Sequence, residues 1–490
     1  MTRTSVEGRH RREFLAGASQ LAIGSLLATE VALPACGAEE PSPATHQATG
    51  VRVGDVTDTS AVVWTRLTQH SARNSHGVTF PKKNVANEPP AATNGPVDQF
   101  EGACPGISGR VRLRYGRQVD LSDATTTDWA ECIAAGDFIH PFRLAGLSPG
   151  SVYHYESQTA GPGGAPLHGV LRGKFSTSPR ADAPSELTFC VMTCQGYPDR
   201  GHVDGHDIYP AMQALQPKFA CLTGDLVYYD NDAPKAVTAR LARYHWERMF
   251  SLPRLLEFTR NVGSYWLKDD HDTLNNDSWP GAKMGELTFV EGQKIFREQA
   301  PLSGGPAYRT FRWGRDLQLW FTDGRDFRSP NKTPDGPDKS IWGREQKAWF
   351  QRTVQESTAR WKVLVSPTPL VGPDRQGKND NHANAGFRHE GDELRAWLQA
   401  HVPENFFIIC GDRHWQYHSV HPQTGVQEFS AGAASNEHAG GTPGVDKAYH
   451  KFHRAKGGFL SVTVQPTAAG SSIHFRHHDV YGNVVYEYEK

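Results

Sequence analysis

The sequence predicts a layered α/β protein preceded by a β-sandwich of the fibronectin type III or immunoglobulin kind. Three observations carry that prediction. Short alternating strands broken by turn residues run from Val51 to about Thr159. Beyond a Pro- and Ala-containing linker at residues 179–184, apolar strands alternate with stretches of helical spacing, the pattern of βαβ units with parallel strands. Three strand ends carry carboxylates, amides and histidine, and in open α/β sheets ligands bind beyond the carboxyl ends of the strands. A length of 490 residues exceeds one ordinary domain, and 38% hydrophobic residues suffice for a large core. The 52 Lys plus Arg balance 53 Asp plus Glu, which leaves no field for steering nucleic acid or an anionic membrane, so no specific nucleic acid partner is expected.

In chain order, residues 1–38 read as an address. His10-Arg11-Arg12-Glu13-Phe14-Leu15 sets two arginines before an apolar, small-residue run to Leu33, the form of a twin-arginine export signal. Glu30 and the Gly, Ala and Ser content argue against a membrane span. Leu33-Pro34-Ala35-Cys36 resembles a lipoprotein processing box, with Cys36 as the lipid anchor; the same segment suits an ordinary signal peptidase and a soluble product. The expected location is therefore periplasmic, secreted or anchored to the envelope, with the twin-arginine translocation machinery as a partner.

A tether spans residues 39–48, and the sandwich is expected over 49–178. Its strands include Val51-Arg52-Val53-Gly54-Asp55, residues 60–66 and residues 110–115, then the turn Leu147-Ser148-Pro149-Gly150 leading into Tyr153-His154-Tyr155. A polar insertion at 68–109 reads as a long loop folded over the neighbouring domain. The second domain is expected over 185–490. Its strands are residues 187–192, 219–223, 317–323, 361–366 and 406–411, plus one leading into residue 268; helices fall around Ile208-Met212-Leu215, Trp246-Phe250 and 345–354. A closing hairpin turns at Tyr481-Gly482-Asn483. Cys190, Cys221 and Cys410 lie inside apolar strands as small hydrophobes, and Cys104 with Cys132 is a pair an oxidising compartment allows.

Chemistry concentrates in Lys268-Asp269-Asp270-His271-Asp272-Thr273-Leu274-Asn275-Asn276-Asp277, where many oxygen ligands surround one histidine, a composition suited to hard cations. Polar turns select the same residue types. Two further strand ends tip the balance: Thr223-Gly224-Asp225-Leu226-Val227-Tyr228 and Gly411-Asp412-Arg413-His414. Cys194 lies past another strand end on the same rim. Arg325 and Arg413 stand beside these motifs as candidate phosphate clamps, although arginines near carboxylates are at least as often structural partners.

Seven motifs in order now resemble the alkaline phosphatase D family of calcineurin-like metallophosphoesterases: residues 50–66, Thr193-Cys194-Gln195, Gly224-Asp225 with Tyr228, Asp269-Asp270-His271-Asp272, Asp323-Gly324-Arg325, Gly343-Arg344-Glu345-Gln346 with Trp349, and Gly411-Asp412-Arg413-His414. The resemblance implies a four-layer α/β/β/α catalytic domain and hydrolysis of phosphomonoesters or phosphodiesters at a ferric iron plus calcium centre, with zinc or manganese compatible with many of the same ligands. It implies that Cys194, Asp225, Tyr228 and His414 hold the iron, that Asp225 bridges to the second metal, that Asp270 and Asn276 are further ligands, and that His271 is catalytic. Leu267-Lys268 intervenes where the family often places Trp directly before the paired aspartates, and Arg413 and Trp415 are bulky for their positions, which bears on substrate choice.

The expected function is an exported metal-dependent phosphoester hydrolase, an alkaline phosphatase and/or phosphodiesterase. The alternatives are a cell-envelope binding protein with a structural metal site, and a strict phosphodiesterase acting on a polymer or lipid.

Overall fold

The computed structural model describes residues 43–82, 96–162 and 166–490. The expected export signal, Cys36 included, lies outside the described residues. Among the described residues, no helix is long and apolar enough to cross a membrane.

Two mixed sheets form the body. The first, of nine strands, has at its centre Leu187–Met192, Phe219–Thr223 and Gly263–Leu267, mutually parallel. The second, of seven, centres on Leu317–Phe321, Trp361–Ser366, Phe406–Cys410 and Gln427–Ala431, also parallel. Leu187–Met192, Phe219–Thr223, Trp361–Ser366 and Phe406–Cys410 are largely apolar, as strands covered on both faces are. One core lies between the sheets, with Phe189, Phe219 and Tyr265 facing Phe311, Trp361 and Phe407. A second core fills the outer face of the first sheet beneath helices Ile208–Ala214, Ala239–Phe250, Pro253–Asn261 and Phe289–Gln299. A third packs Trp320 and Ile408 against Gly343–Glu356 and Arg388–His401. The layers are therefore helix, sheet, sheet, helix.

The amino-terminal strands pack as two sheets around Val53, Val63, Val111, Leu113, Tyr155 and Phe175. One of them, Gly109–Gly116 with Val152–Ala160 and Leu167–Ser176, stands apart in a five-stranded sheet. The other does not. Val51–Gly54, Ser60–Arg66 and Ile139–Ala145 extend the nine-stranded sheet, joined through the parallel pair Gly54 and Ser264. Arg52, fully buried, lies 4.0 Å from the centre of Trp64 and 4.4 Å from that of Phe250, and donates to the Gln299 carbonyl at 2.6 Å. Residues 179–184 thus lead from one sheet system to the next without separating two bodies. Alternation along a strand tells which face is buried; it does not tell which neighbour pairs with its edge.

The described end of the insertion, residues 96–109, packs on the helical layer. Phe100 and Ala103 enter the core there, and Tyr244 donates to the Glu101 carbonyl at 2.7 Å. Cys104 and Cys132 are both buried and free, the latter inside the amino-terminal core.

Candidate metal centre

The parallel strands of both sheets point their carboxyl ends at one rim, where the sheets touch through a parallel bridge between Thr193 and Ala433. That approach leaves no room for side chains at Gly411, whose Cβ would stand 2.4 Å from the Thr223 carbonyl oxygen and 2.9 Å from Thr193 Oγ1. Gly224 is confined likewise, with φ +95° and a would-be Cβ 2.7 Å from that of Asp269. Immediately after these strand ends, Cys194, Asp225 and Asp412 adopt φ of +53°, +55° and +63°. Non-glycine residues in the left-handed region are strained unless the surroundings fix them, and such strain gathers at functional sites.

These turns bring together Cys194, Asp225 and His414; Asp225, Asp270 and His271; and Asp225, Asp269 and Asp412, each trio with ligand-type atoms within 4.8 Å of one another. Asp225 is common to all three. Cys194 Sγ is 3.5 Å from Asp225 Oδ2, and the Tyr228 hydroxyl lies 3.3 Å from both that oxygen and His414 Nε2. His271 Nδ1 pairs with Asp230 Oδ1 at 2.6 Å, and its ring lies 4.5 Å from that of Tyr228. Asn276 is exposed at the rim and gives its backbone N–H to Asp230 at 2.9 Å.

The two arginines differ. Arg325 Nε donates to Asp269 Oδ1 at 2.5 Å and its Nη2 is 3.5 Å from Asp270, while its Nη1 is buried without an acceptor. Arg413 Nη1 grips both oxygens of Asp374 at 2.9 and 2.8 Å, and its Nη2 faces Asp380 at 3.4 Å and also Asp412. Lys268 is buried against Asp323 and Asp326. His382 is a core residue bonded to Glu390 at 2.9 Å.

Burial raises Asp225 well above the ordinary carboxylate range, against His271, and Asp270 and Asp269 raise it further. Burial likewise raises the Cys194 thiol, with Asp225 adding to it, and the Tyr228 phenol, with Asp225 and Cys194 adding. Burial opposes charge on His271, but Asp230, Asp270 and Asp225 outweigh it and hold the imidazole well above its usual range. His414 is lowered by burial and by His438. Asp225, Cys194 and Tyr228 are thus costly to ionise unless a cation is present, whereas Asp270 lies below the usual carboxylate range because Arg325, His271 and the Asp277 N–H outweigh its burial. The acceptors agree: Asp225 Oδ1 and Asp269 Oδ2 are buried with no hydrogen-bond donor, and Asp270 Oδ1, likewise without a hydrogen bond, has the Arg325 ion pair at 3.5 Å. Thiolate, phenolate, carboxylate and imidazole together fit a transition metal beside a site of harder, oxygen-rich character.

Three participants were invisible to sequence reasoning. His438 Nε2 meets the Tyr228 hydroxyl at 2.9 Å, and its Nδ1 meets Asp199 at 3.1 Å. Asp230 orients His271. His438 lies seven residues beyond the strand Gln427–Ala431, whose polar sequence Gln427-Glu428-Phe429-Ser430-Ala431 gives no strand-end signal of the kind that marks Asp225 or His414.

Facing mixed sheets with helices outside, and acids, thiol and imidazole at their carboxyl ends, define an α/β metallophosphoesterase fold. Residues 189–457 match the family model described as PhoD-like phosphatase, and residues 33–179 match the PhoD-like phosphatase N-terminal domain. The chain belongs to the PhoD-like phosphatase family, and is a phosphoesterase. It is 22% identical over 503 aligned residues to alkaline phosphatase D of Bacillus subtilis (strain 168), covering 89% of this chain and 77% of that protein. A solved structure of PhoD superposes with a TM-score of 0.69 at 17% identity, covering 91% of this chain and 89% of the other. The purple acid phosphatase PPD1 from yellow lupin (Lupinus luteus) seeds superposes with a TM-score of 0.58 at 13% identity, over 90% of this chain and 73% of the other.

Proposed function

We propose that the protein is an exported, metal-dependent phosphoester hydrolase acting on phosphomonoesters, phosphodiesters or both, with its amino-terminal strands forming a sandwich of the fibronectin or immunoglobulin kind. The observation that carries the metal-dependent reading is the set of buried carboxylate oxygens of Asp225, Asp269 and Asp270 that accept no hydrogen bond. Cys194, Asp225, Tyr228 and His414 would hold ferric iron, with Asp225 shared with a second ion, calcium, near Asp270; zinc or manganese would satisfy many of the same groups. Bound there, the two ions supply Lewis-acid polarisation of the phosphoryl oxygen and an acidified water.

The chain's own residues do the rest. Asp230 fixes the His271 ring through Nδ1, which leaves Nε2 to give a proton to the departing alkoxide or to stabilise its charge. Arg325, with Nη1 unmatched, is the better placed arginine for a phosphate oxygen, and Arg413 is committed to holding the Asp374 loop. Asn276 closes the rim.

The test is hydrolysis of 4-nitrophenyl phosphate and bis(4-nitrophenyl) phosphate across alkaline pH with calcium added, by wild type and His271→Ala, alongside elemental analysis. Iron in the protein and activity lost in His271→Ala support the reading. A colourless, iron-free protein would remove the iron assignment. No turnover of either ester by metal-loaded protein would favour the envelope-binding alternative. For export, a double Arg11→Lys, Arg12→Lys variant is expected to stay in the cytoplasm, and a Cys36→Ser variant separates lipid-anchored from soluble product.

A further inference from the structure

Beside the candidate centre lies a cleft of about 550 Å³. Its inner wall is Tyr197, only 6% exposed because guanidinium groups surround it. Arg200 stands 4.2 Å, Arg248 4.6 Å and Arg73 5.5 Å from the ring centre. Few acceptors serve these cations. Glu101 takes Arg73 at 2.7 Å and the Tyr197 hydroxyl at 2.8 and 2.9 Å. Arg200 gives Nη1 to the Tyr197 carbonyl at 2.8 Å, and Arg248 gives Nη1 to the Ala233 carbonyl at 2.7 Å while its Nη2 lies 3.1 Å from His245 Nδ1 and 3.7 Å from Asp232. The Nε donors of Arg200 and Arg248 are buried with no acceptor, and Arg248 is itself 3% exposed. A buried charged donor left unmatched costs free energy that an anion in the cleft recovers.

The charge on the lining points the same way. Lys82, Arg200 and Arg248 face Glu101 and Glu437, and Glu101 is already matched by Arg73. A stacking ligand is disfavoured, since the Tyr197 ring has no open face. The cleft also shares its wall with the centre. Asp199 meets His438, which meets the Tyr228 hydroxyl, and the Tyr197 N–H donates to Asp232 at 3.1 Å while the Asp232 N–H donates to the Tyr228 carbonyl at 3.3 Å. Glu437 on the rim immediately precedes His438.

We propose that this cleft is a second anion subsite, which binds a further phosphate group on the alcohol arm of a phosphodiester substrate and so selects for substrates with more than one phosphate. The proposal rests on the phosphoesterase reading of the neighbouring centre.

The experiment compares two 4-nitrophenyl phosphodiesters of propane-1,3-diol, one plain and one phosphorylated on its far hydroxyl, with metal-loaded wild type, Arg200→Ala and Arg200→Lys. Wild type is expected to prefer the phosphorylated arm by about tenfold in kcat/KM, mainly through KM, as one charge-assisted contact provides. That preference should fall to about twofold or less in Arg200→Ala, recover partly in Arg200→Lys, and shrink as salt is raised. Turnover of the plain diester by wild type with no preference for the phosphorylated one overturns the proposal, as does a preference that survives intact in Arg200→Ala. If neither diester is turned over, the diesterase reading of the centre fails, and calorimetric titration of propane-1,3-diol bisphosphate decides the subsite alone. Binding about tenfold tighter to wild type than to Arg200→Ala supports the subsite; equal binding overturns it.

Discussion

Two groups of aspartates share this rim and differ in one respect. Asp272 and Asp374 are as deeply buried as Asp225 and Asp270, yet their oxygens are met. Asp272 accepts the backbone N–H of Asp269 at 2.7 Å and of Leu226 at 3.1 Å, and Asp374 takes Arg413 and the side-chain amide of Asn381. Asp225, Asp269 and Asp270 each keep one buried oxygen that accepts no hydrogen bond. Burial alone therefore does not distinguish a functional carboxylate here; the missing hydrogen bond does. The first group orders the turns, and the second is left with acceptors that the fold does not satisfy.

That contrast is open to attack by substitution. Asp225→Asn is expected to have the largest effect, with metal lost by elemental analysis and kcat/KM for bis(4-nitrophenyl) phosphate reduced by on the order of 10³-fold or more while the far-ultraviolet circular dichroism is kept. His271→Ala should lower kcat by about 10² to 10⁴-fold with metal content retained, which separates proton transfer from ligation. Asp374→Ala should act on the other side of the comparison: Arg413 Nη1 is left buried and unmatched while Nη2 keeps Asp380 and Asp412, at a cost of about 3 kcal/mol in denaturant unfolding, with bound metal per folded molecule nearly unchanged. Asp272→Ala, which frees two backbone donors, should cost a comparable amount, about 1–3 kcal/mol for each group left unmet. If Asp374→Ala or Asp272→Ala instead strips the metal from folded protein, the division between ordering and ligating acids does not hold.

The amino-terminal sheets show where sequence reading stops. The strand Ser60–Arg66 is legible from its run Ser60-Ala61-Val62-Val63-Trp64-Thr65-Arg66, and its end residues agree with the structure. Its place in the nine-stranded sheet is not, because edge pairing is decided by backbone hydrogen bonds that any sequence can make. The site is legible to the same depth. Cys194, Asp225, Asp270, His271 and His414 stand out because each follows an apolar strand, and the structure gathers them. His438 and Asp230 escaped because their neighbours in sequence carry no comparable signal, and only the meeting of the strand ends gives them partners. The partners of Arg325 and Arg413 also escaped: both adjoin carboxylates in sequence, and only side-chain geometry shows that Arg325 leans on Asp269 and Asp270 of the centre whereas Arg413 grips Asp374.

The sequence by itself determined the apolar central strands Leu187–Met192, Phe219–Thr223, Trp361–Ser366 and Phe406–Cys410 and the rim on which the reactive side chains lie, because hydrophobic periodicity and residue type are local properties of the chain, and its motifs in order marked a phosphoesterase family. Tertiary structure alone decided which carboxylate oxygens lack hydrogen bonds, which arginines are spent on structure, and that a cleft of unmatched guanidinium donors opens beside the centre. Those are balances between groups far apart in the chain. They exist only once the two sheets bring their strand ends together.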